Sequence, residues 1–211
     1  MFNRSLSRPG LRTRLLLTTL TALALSAGPV LAQDVGRMEQ TLSEAAARDA
    51  FAGSVLVARG GEVLLDRGYG MANREWAIPN DGDTKFRLAS VSKQFTAVAA
   101  VLLSQRGQLD LDASLKTYLP DAPAAWDQVT VRHLLTHTSG IPNFTAFDDF
   151  AATKTVATTL PELIARFRDR PLDFQPGQGW AYSNSGYVLL TAVIERVSGK
   201  PYAAFVSEAL F

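Results

Sequence analysis

Apolar and polar positions change period several times along the chain, and the changes mark its elements. Gly53 to Arg59 and Glu62 to Tyr69 are short, strand-like runs separated by Gly60-Gly61, which predicts an antiparallel hairpin with a two-residue turn. Val55-Val57 and Leu56-Ala58 put apolar pairs on opposite strand faces, so the sheet is expected to be covered on both sides. Helical spacing governs the rest. Met38, Leu42 and Ala45 predict an opening helix over Met38–Arg48. Phe95, Val98, Ala99, Leu102 and Leu103 predict a long helix from Ser90 or Val91 to Gln105, ended by Gly107. Val188, Leu189, Ala192 and Val193 predict another from Ser185 or Gly186 to Val197, stopped by Gly199, and Pro201–Phe211 reads as a last helix.

Capping residues place the shorter pieces. Asp112 is expected to cap a segment around Ala113–Tyr118, and Thr130 a helix through His133-Leu134-Leu135 with Ser139-Gly140 turning after it. Thr159-Leu160-Pro161-Glu162 supplies a capping box for Leu163–Phe167. Pro171–Gly179 reads as a loop. Trp76, Trp126 and Trp180 suit core or loop packing better than the rim of a site.

The first 32 residues follow a different rule. Arg4, Arg8, Arg12 and Arg14 precede the apolar Leu15–Leu25, then Ser26-Ala27-Gly28-Pro29 and Val30-Leu31-Ala32. This order marks a secretory signal peptide, residues 1–32, cut before Gln33. The alternative, an uncleaved anchor, asks for roughly 20 apolar residues, more than the run provides. Residues 33–211 are then expected to form one domain, working in the periplasm or outside the cell, with no stable membrane span after cleavage.

Charge narrows the partners. Of 21 basic residues, four lie in the signal segment, and the first acidic residue is Asp34, so the exported part carries fewer basic than acidic groups. Such a balance offers no electrostatic basis for nucleic-acid binding. The chain has no cysteine, which excludes disulfides, thiol nucleophiles and cysteine-ligated metals. Neither a GxxxxGK[ST] loop nor a strand-linked GxGxxG is present, and no cofactor is expected. His133 and His137 are spaced as two ligands on a helix, but Leu134-Leu135-Thr136 between them lacks the glutamate of an HExxH site, so no metal is expected and both histidines are assigned to local hydrogen bonding and packing. Asp148-Asp149 reads as a solvated loop.

Two segments carry nucleophilic chemistry. In Ser90-Val91-Ser92-Lys93 the serine and lysine are three residues apart on a predicted helix and project toward one region. A serine hydroxyl is a weak nucleophile by itself, and a lysine amine with a depressed pKa can take its proton. The plainer reading makes Ser90 a cap and Lys93 a solvated side chain. Ser92 is a competing hydroxyl on a different helical face. In Tyr182-Ser183-Asn184, Tyr182 and Asn184 share a side of an extended loop. Tyr182 can relay a proton and Asn184 can hold the substrate or Lys93; alternatively, Tyr182 packs its ring and Asn184 caps the next helix.

Together these segments resemble the serine beta-lactamase-related family, which includes class C beta-lactamases, D-alanyl-D-alanine carboxypeptidases and related esterases. Ser90-Val91-Ser92-Lys93 matches its S-x-x-K, Tyr182-Ser183-Asn184 its Y-x-N, and His133–Gly140 its H-L-L-x-H-T-S-G landmark. The resemblance, from Gly53 to Phe211, implies an α/β (α+β) fold of the beta-lactamase/transpeptidase type, an antiparallel sheet covered by helices beside a mostly helical region. It also implies a serine acyl hydrolase acting on a small-molecule or peptide substrate, with Ser90 as nucleophile, Lys93 as base, Tyr182 as proton-transfer group and Asn184 as substrate-positioning group. The family's later K-T-G or H-x-G strand has no match after Asn184, so the chain is expected to be the amino-terminal part of such a domain. A noncatalytic envelope module that binds peptide or protein is the reading of a different class.

Overall fold

The computed structural model describes residues 28–211, with side chains from Asp34 onward. The signal segment lies outside the described residues up to Ala27. The chain divides into two units, the first ending at Arg87 and the second running from Leu88 to Phe211.

In the first unit, α1 (Gly28–Ala47) precedes the hairpin of β1 (Gly53–Arg59) and β2 (Glu62–Tyr69), whose bounds match those the sequence predicts. The opening helix starts ten residues earlier than its apolar spacing indicated, at Gly28 instead of Met38. Register runs from Gly53 opposite Tyr69 to Arg59 opposite Glu62, with an irregularity between Val57 and Ala58. Gly60 and Gly61 have φ of 58° and 86°, the left-handed pair that a tight hairpin turn requires. A second small antiparallel sheet pairs β3 (Met71–Asn73) with β4 (Ile78–Pro79). Neither sheet closes into a barrel.

Helix α1 covers one face of the hairpin, and Arg67 of β2 reaches Glu39 of α1 at 2.8 Å. Leu65 and Tyr69, on the same alternation as Arg67, are buried. The expectation of a sheet covered on both sides is corrected on the opposite face, where Leu56 is 63% and Val63 56% exposed. Apolar alternation specifies which positions can be buried. It cannot supply the element that covers them.

The second unit is helical. Its helices are α2 (Lys93–Gln105), α3 (Val131–Leu135), α4 (Phe150–Thr153), α5 (Leu160–Arg168), α6 (Asn184–Ser198) and α7 (Tyr202–Leu210). Helix α6 packs against α2, α3, α5 and α7, and its Leu189, Leu190, Val193 and Ile194 are fully buried. Each such side chain contributes about 1.5–3 kcal/mol by leaving water, which makes this stripe the organising face of the unit. Leu103, Leu115, Val131 and Leu134 complete the core, with Trp126 stacked on Phe167 and Phe167 on Phe144.

The caps form as the sequence predicts at three helices. Thr130 accepts from the His133 N–H, and His133 returns the bond to the Thr130 N–H; Thr159 and Glu162 do the same at α5. Gly199 ends α6 with φ 66°. Asp112 is a correction. Only Leu115–Thr117 turns, as a 3-10 helix capped by Ser114, while Asp112 takes two hydrogen bonds from the Arg132 guanidinium at 2.6 and 2.7 Å. A bidentate carboxylate–guanidinium pair outcompetes a single bond to backbone. Asp149 pairs with Arg166 at 2.9 Å.

Candidate active site

The chain turns into α2 through a 3-10 helix over Ala89–Ser92, so Ser90 lies just before the α-helix and Lys93 is its first residue. In a 3-10 turn residues i and i+3 eclipse, which stacks Lys93 beside Ser90 more closely than an α-turn does. Lys93 Nζ lies 3.4 Å from Ser90 Oγ. Ala89, immediately before the serine, has φ 46°, a conformation that costs a residue with a Cβ and presents the next side chain outward. Ser92 is exposed on the same turn.

The Tyr182 segment arrives from the other end of the unit. Tyr182 Oη and Ser90 Oγ share a hydrogen bond of 2.6 Å. Ser183, and not Asn184, caps α6, its hydroxyl accepting from the Gly186 N–H and donating to the Ile141 carbonyl. Asn184 is therefore free to turn inward from the first position of the helix, where its Oδ1 accepts from Lys93 Nζ at 2.7 Å. The structure brings Ser90, Lys93, Tyr182 and Asn184 into one hydrogen-bonded cluster.

Further residues, not picked out as site residues by sequence, hold this cluster. The Asn184 amide nitrogen donates to Asn143 Oδ1 at 3.2 Å and Thr145 Oγ1 at 3.0 Å, and its backbone N–H donates to Asn143 Oδ1 at 3.1 Å. Those bonds settle the amide orientation, leaving its oxygen toward Lys93. Ser185, fully buried, accepts from the Phe144 N–H and donates to the Pro142 carbonyl. Asn143 follows Pro142 and caps a 3-10 turn over Phe144–Ala146 that contains Thr145, and an asparagine at a cap position is the signal by which sequence could have found it. The Lys93 ammonium also lies over two aromatic rings, 4.9 Å from the centre of Tyr182 and 5.3 Å from that of Tyr187.

The electrostatics follow from this packing. Burial of Tyr182 opposes ionisation, but hydrogen bonds from Lys93 and Ser90 and the Lys93 charge together hold its phenol below the ordinary tyrosine range. Tyr187 moves the other way, raised by burial and then by the neighbouring Tyr182. Two adjacent phenols thus have their acidities driven apart. His137 is pushed below the ordinary histidine value by burial and by the Lys93 charge.

The two histidines are engaged locally. His133 closes the α3 capping box, and His137 accepts at Nδ1 from the Ser183 N–H at 3.2 Å while its ring packs against Tyr182. Of the tryptophans, Trp126 is core. Trp180 is 67% exposed and packs in its loop edge-on to His137. Trp76 is also exposed. Among the described residues no helix is long and apolar enough to cross a membrane.

Residues 37–211 match the Beta-lactamase family. The chain belongs to that family. It is 37% identical over 176 residues to Penicillin-binding protein 4* of Bacillus subtilis (strain 168), covering 82% of this chain and 38% of that protein. To Esterase EstB of Burkholderia gladioli it is 38% identical over 200 residues, covering 88% of this chain and 50% of the esterase. Among solved structures, the D-amino acid amidase of Ochrobactrum anthropi SV3 complexed with L-phenylalanine superposes with a TM-score of 0.72 at 30% identity, over 83% of this chain and 48% of the amidase. The chain spans about half, or less, of the length of these relatives. Its family is that of the beta-lactamase-related serine hydrolases.

Proposed function

We propose that the chain carries the nucleophile and proton-transfer groups of an exported serine acyl hydrolase that acts on an amide or ester carbonyl. The observation that carries this reading is the 2.6 Å contact between Ser90 Oγ and Tyr182 Oη beside the Lys93 ammonium. Ser90 Oγ attacks the carbonyl carbon, and its proton passes to Tyr182. This contact is closer than the 3.4 Å to Lys93, which favours the Tyr182 phenolate as first acceptor, its formation opposed by burial but eased by the bond and charge of Lys93. Collapse of the tetrahedral intermediate breaks the bond to the leaving amine or alcohol, which takes the proton from Tyr182. Water, losing its proton to the same phenolate, then attacks the acyl carbonyl, releases the acid and restores Ser90.

In this reading Asn184 holds Lys93 and faces the substrate, and the Ser90 N–H is one donor to the developing oxyanion. The names of the relatives, a penicillin-binding protein, an esterase and a D-amino acid amidase, support a class of substrates: beta-lactams, D-amino-acid amides or peptides, and small esters. All present an attackable carbonyl to a serine.

The test is covalent labelling of the protein with a reactive ester or beta-lactam, with peptide mass spectrometry to locate the adduct. The expected result is acyl-Ser90, lost in Ser90→Ala and retained in Ser92→Ala. An adduct on Ser92, or labelling undiminished in a folded Ser90→Ala variant, overturns the assignment. Export is tested separately by amino-terminal sequencing of the native product, expected to begin at Gln33.

A further inference from the structure

Tyr182 is the closest partner of Ser90, yet its own cap and helix begin after it, so something else must set its position. His137 contacts the segment on both sides of it. The His137 carbonyl accepts from the Ala181 N–H at 3.0 Å, and His137 Nδ1 accepts from the Ser183 N–H at 3.2 Å. Between those two bonds the imidazole packs on the Tyr182 ring, with centroids 4.6 Å apart and planes tilted by 39°. On its other contacts the ring meets Tyr187 at 5.2 Å and Trp180 at 6.1 Å.

The backbone conformation that permits this is unusual for histidine. His137 has φ 61°, the left-handed region, in the turn that follows α3. A residue with a Cβ is disfavoured there relative to glycine, so one that keeps the conformation is held by what its side chain does. Here the side chain makes the bond to Ser183 and the face against Tyr182.

We propose that His137 is the positioning residue for Tyr182, clamping the 181–183 segment through its carbonyl and its Nδ1 and thereby holding the phenol oxygen against Ser90. The proposal rests on the acyl-transfer reading of the site. Nδ1 accepts a backbone hydrogen bond, so the ring is neutral and carries its proton on Nε2. The titratable groups that face it are Lys93 from α2, Tyr182 from the loop and Tyr187 from α6, while His133 lies on its own side of the chain. Burial and the Lys93 cation both disfavour imidazolium. Protonation of Nδ1 turns the acceptor into a donor, breaks the bond to Ser183 and frees the loop.

Two substitutions separate positioning from folding. His137→Asn keeps an acceptor at the place of Nδ1 and tolerates the left-handed backbone; His137→Gly relaxes the backbone and removes both acceptor and ring. Labelled with ¹⁵N and observed by NMR, the full chain is expected to show a neutral His137 with Nδ1 as acceptor. The Ser183 amide signal should titrate together with that ring below the ordinary histidine range. In His137→Asn the Ser183 amide should lose that titration but keep its protection. In His137→Gly its exchange should accelerate by about tenfold or more.

Acylation of Ser90 should fall by about 10²-fold in His137→Gly and stay within about tenfold in His137→Asn, since a misplacement near 1 Å is enough for the larger loss. If Ser90 is not acylated even in the unsubstituted protein, the acyl-transfer reading fails, and the amide and ring titrations still decide the clamp. If His137→Gly does not fold, the titration of the unsubstituted chain and His137→Asn decides it. A Ser183 amide indifferent to His137 protonation, or a folded His137→Gly variant with unchanged Ser183 protection, overturns the proposal.

Discussion

Lys93 Nζ donates to Asn184 Oδ1 at 2.7 Å, joining the first residue of α2 to the first residue of α6 across 91 positions of sequence. Two helix starts meet at this bond, and both site hydroxyls, Ser90 and Tyr182, belong to the short segments that lead into them. The bond therefore sets the spacing of the cluster, while α2 and α6 pack against each other behind it.

Asn184→Leu should disconnect Lys93 from α6 while preserving side-chain size. Asn143 and Thr145 then each lose one hydrogen bond, while Asn143 Oδ1 keeps those from the backbone N–H of position 184 and from Thr145. Ser90 acylation is expected to fall by about 10²-fold, read as the rate of adduct formation by mass spectrometry, with the circular dichroism spectrum unchanged. A rate within twofold of the unsubstituted protein would detach Asn184 from the site.

Tyr182→Phe removes the oxygen 2.6 Å from Ser90 and keeps the ring on His137. Acylation should drop by roughly 10² to 10⁴-fold, the range for loss of a positioned proton-transfer group. The pH dependence is a second check. Because the phenol is held below its ordinary value of 10.0, its ionised fraction, and with it the rate, should rise with pH and level off below that value. The phenylalanine variant should lack this limb.

Thr130→Ala removes the side chain that caps α3 and leaves the His133 N–H without its acceptor. The expected loss is about 1 kcal/mol in the second unit, measured by urea unfolding with fluorescence of the buried Trp126. A variant as stable as the parent would show that packing of Val131 and Leu134 alone holds the helix.

Gly140→Ala should be far more damaging. The residue has φ 73°, and a Cβ there would lie 2.0 Å from the Phe174 carbonyl oxygen. Strain and clash together are expected to cost about 3 kcal/mol or more, detected as a lowered unfolding midpoint or loss of soluble protein. The turn at Ser139-Gly140 was legible in the sequence as a turn; that it is a place of backbone-to-backbone contact was not.

What the sequence determined by itself is local. The Gly60-Gly61 hairpin, the Thr130 and Thr159 caps, the Gly199 stop and the apolar stripe of α6 depend on residues a few positions apart, whose propensities and periodicities act within one element. Ser90 with Lys93, and Tyr182 with Asn184, could be singled out for the same reason, since each pair spans a single turn or loop. Tertiary structure decided the rest. Only packing showed that Asp112 serves Arg132 and not a helix start, that Leu56 and Val63 are left exposed, and that Trp180 stands at the surface beside His137. It also brought Asn143 and Thr145 to Asn184 and gave His137 its two bonds astride Tyr182. Contacts between segments some 40 to 90 residues apart depend on how α2, α3 and α6 settle against one core, a global minimum that no local pattern encodes.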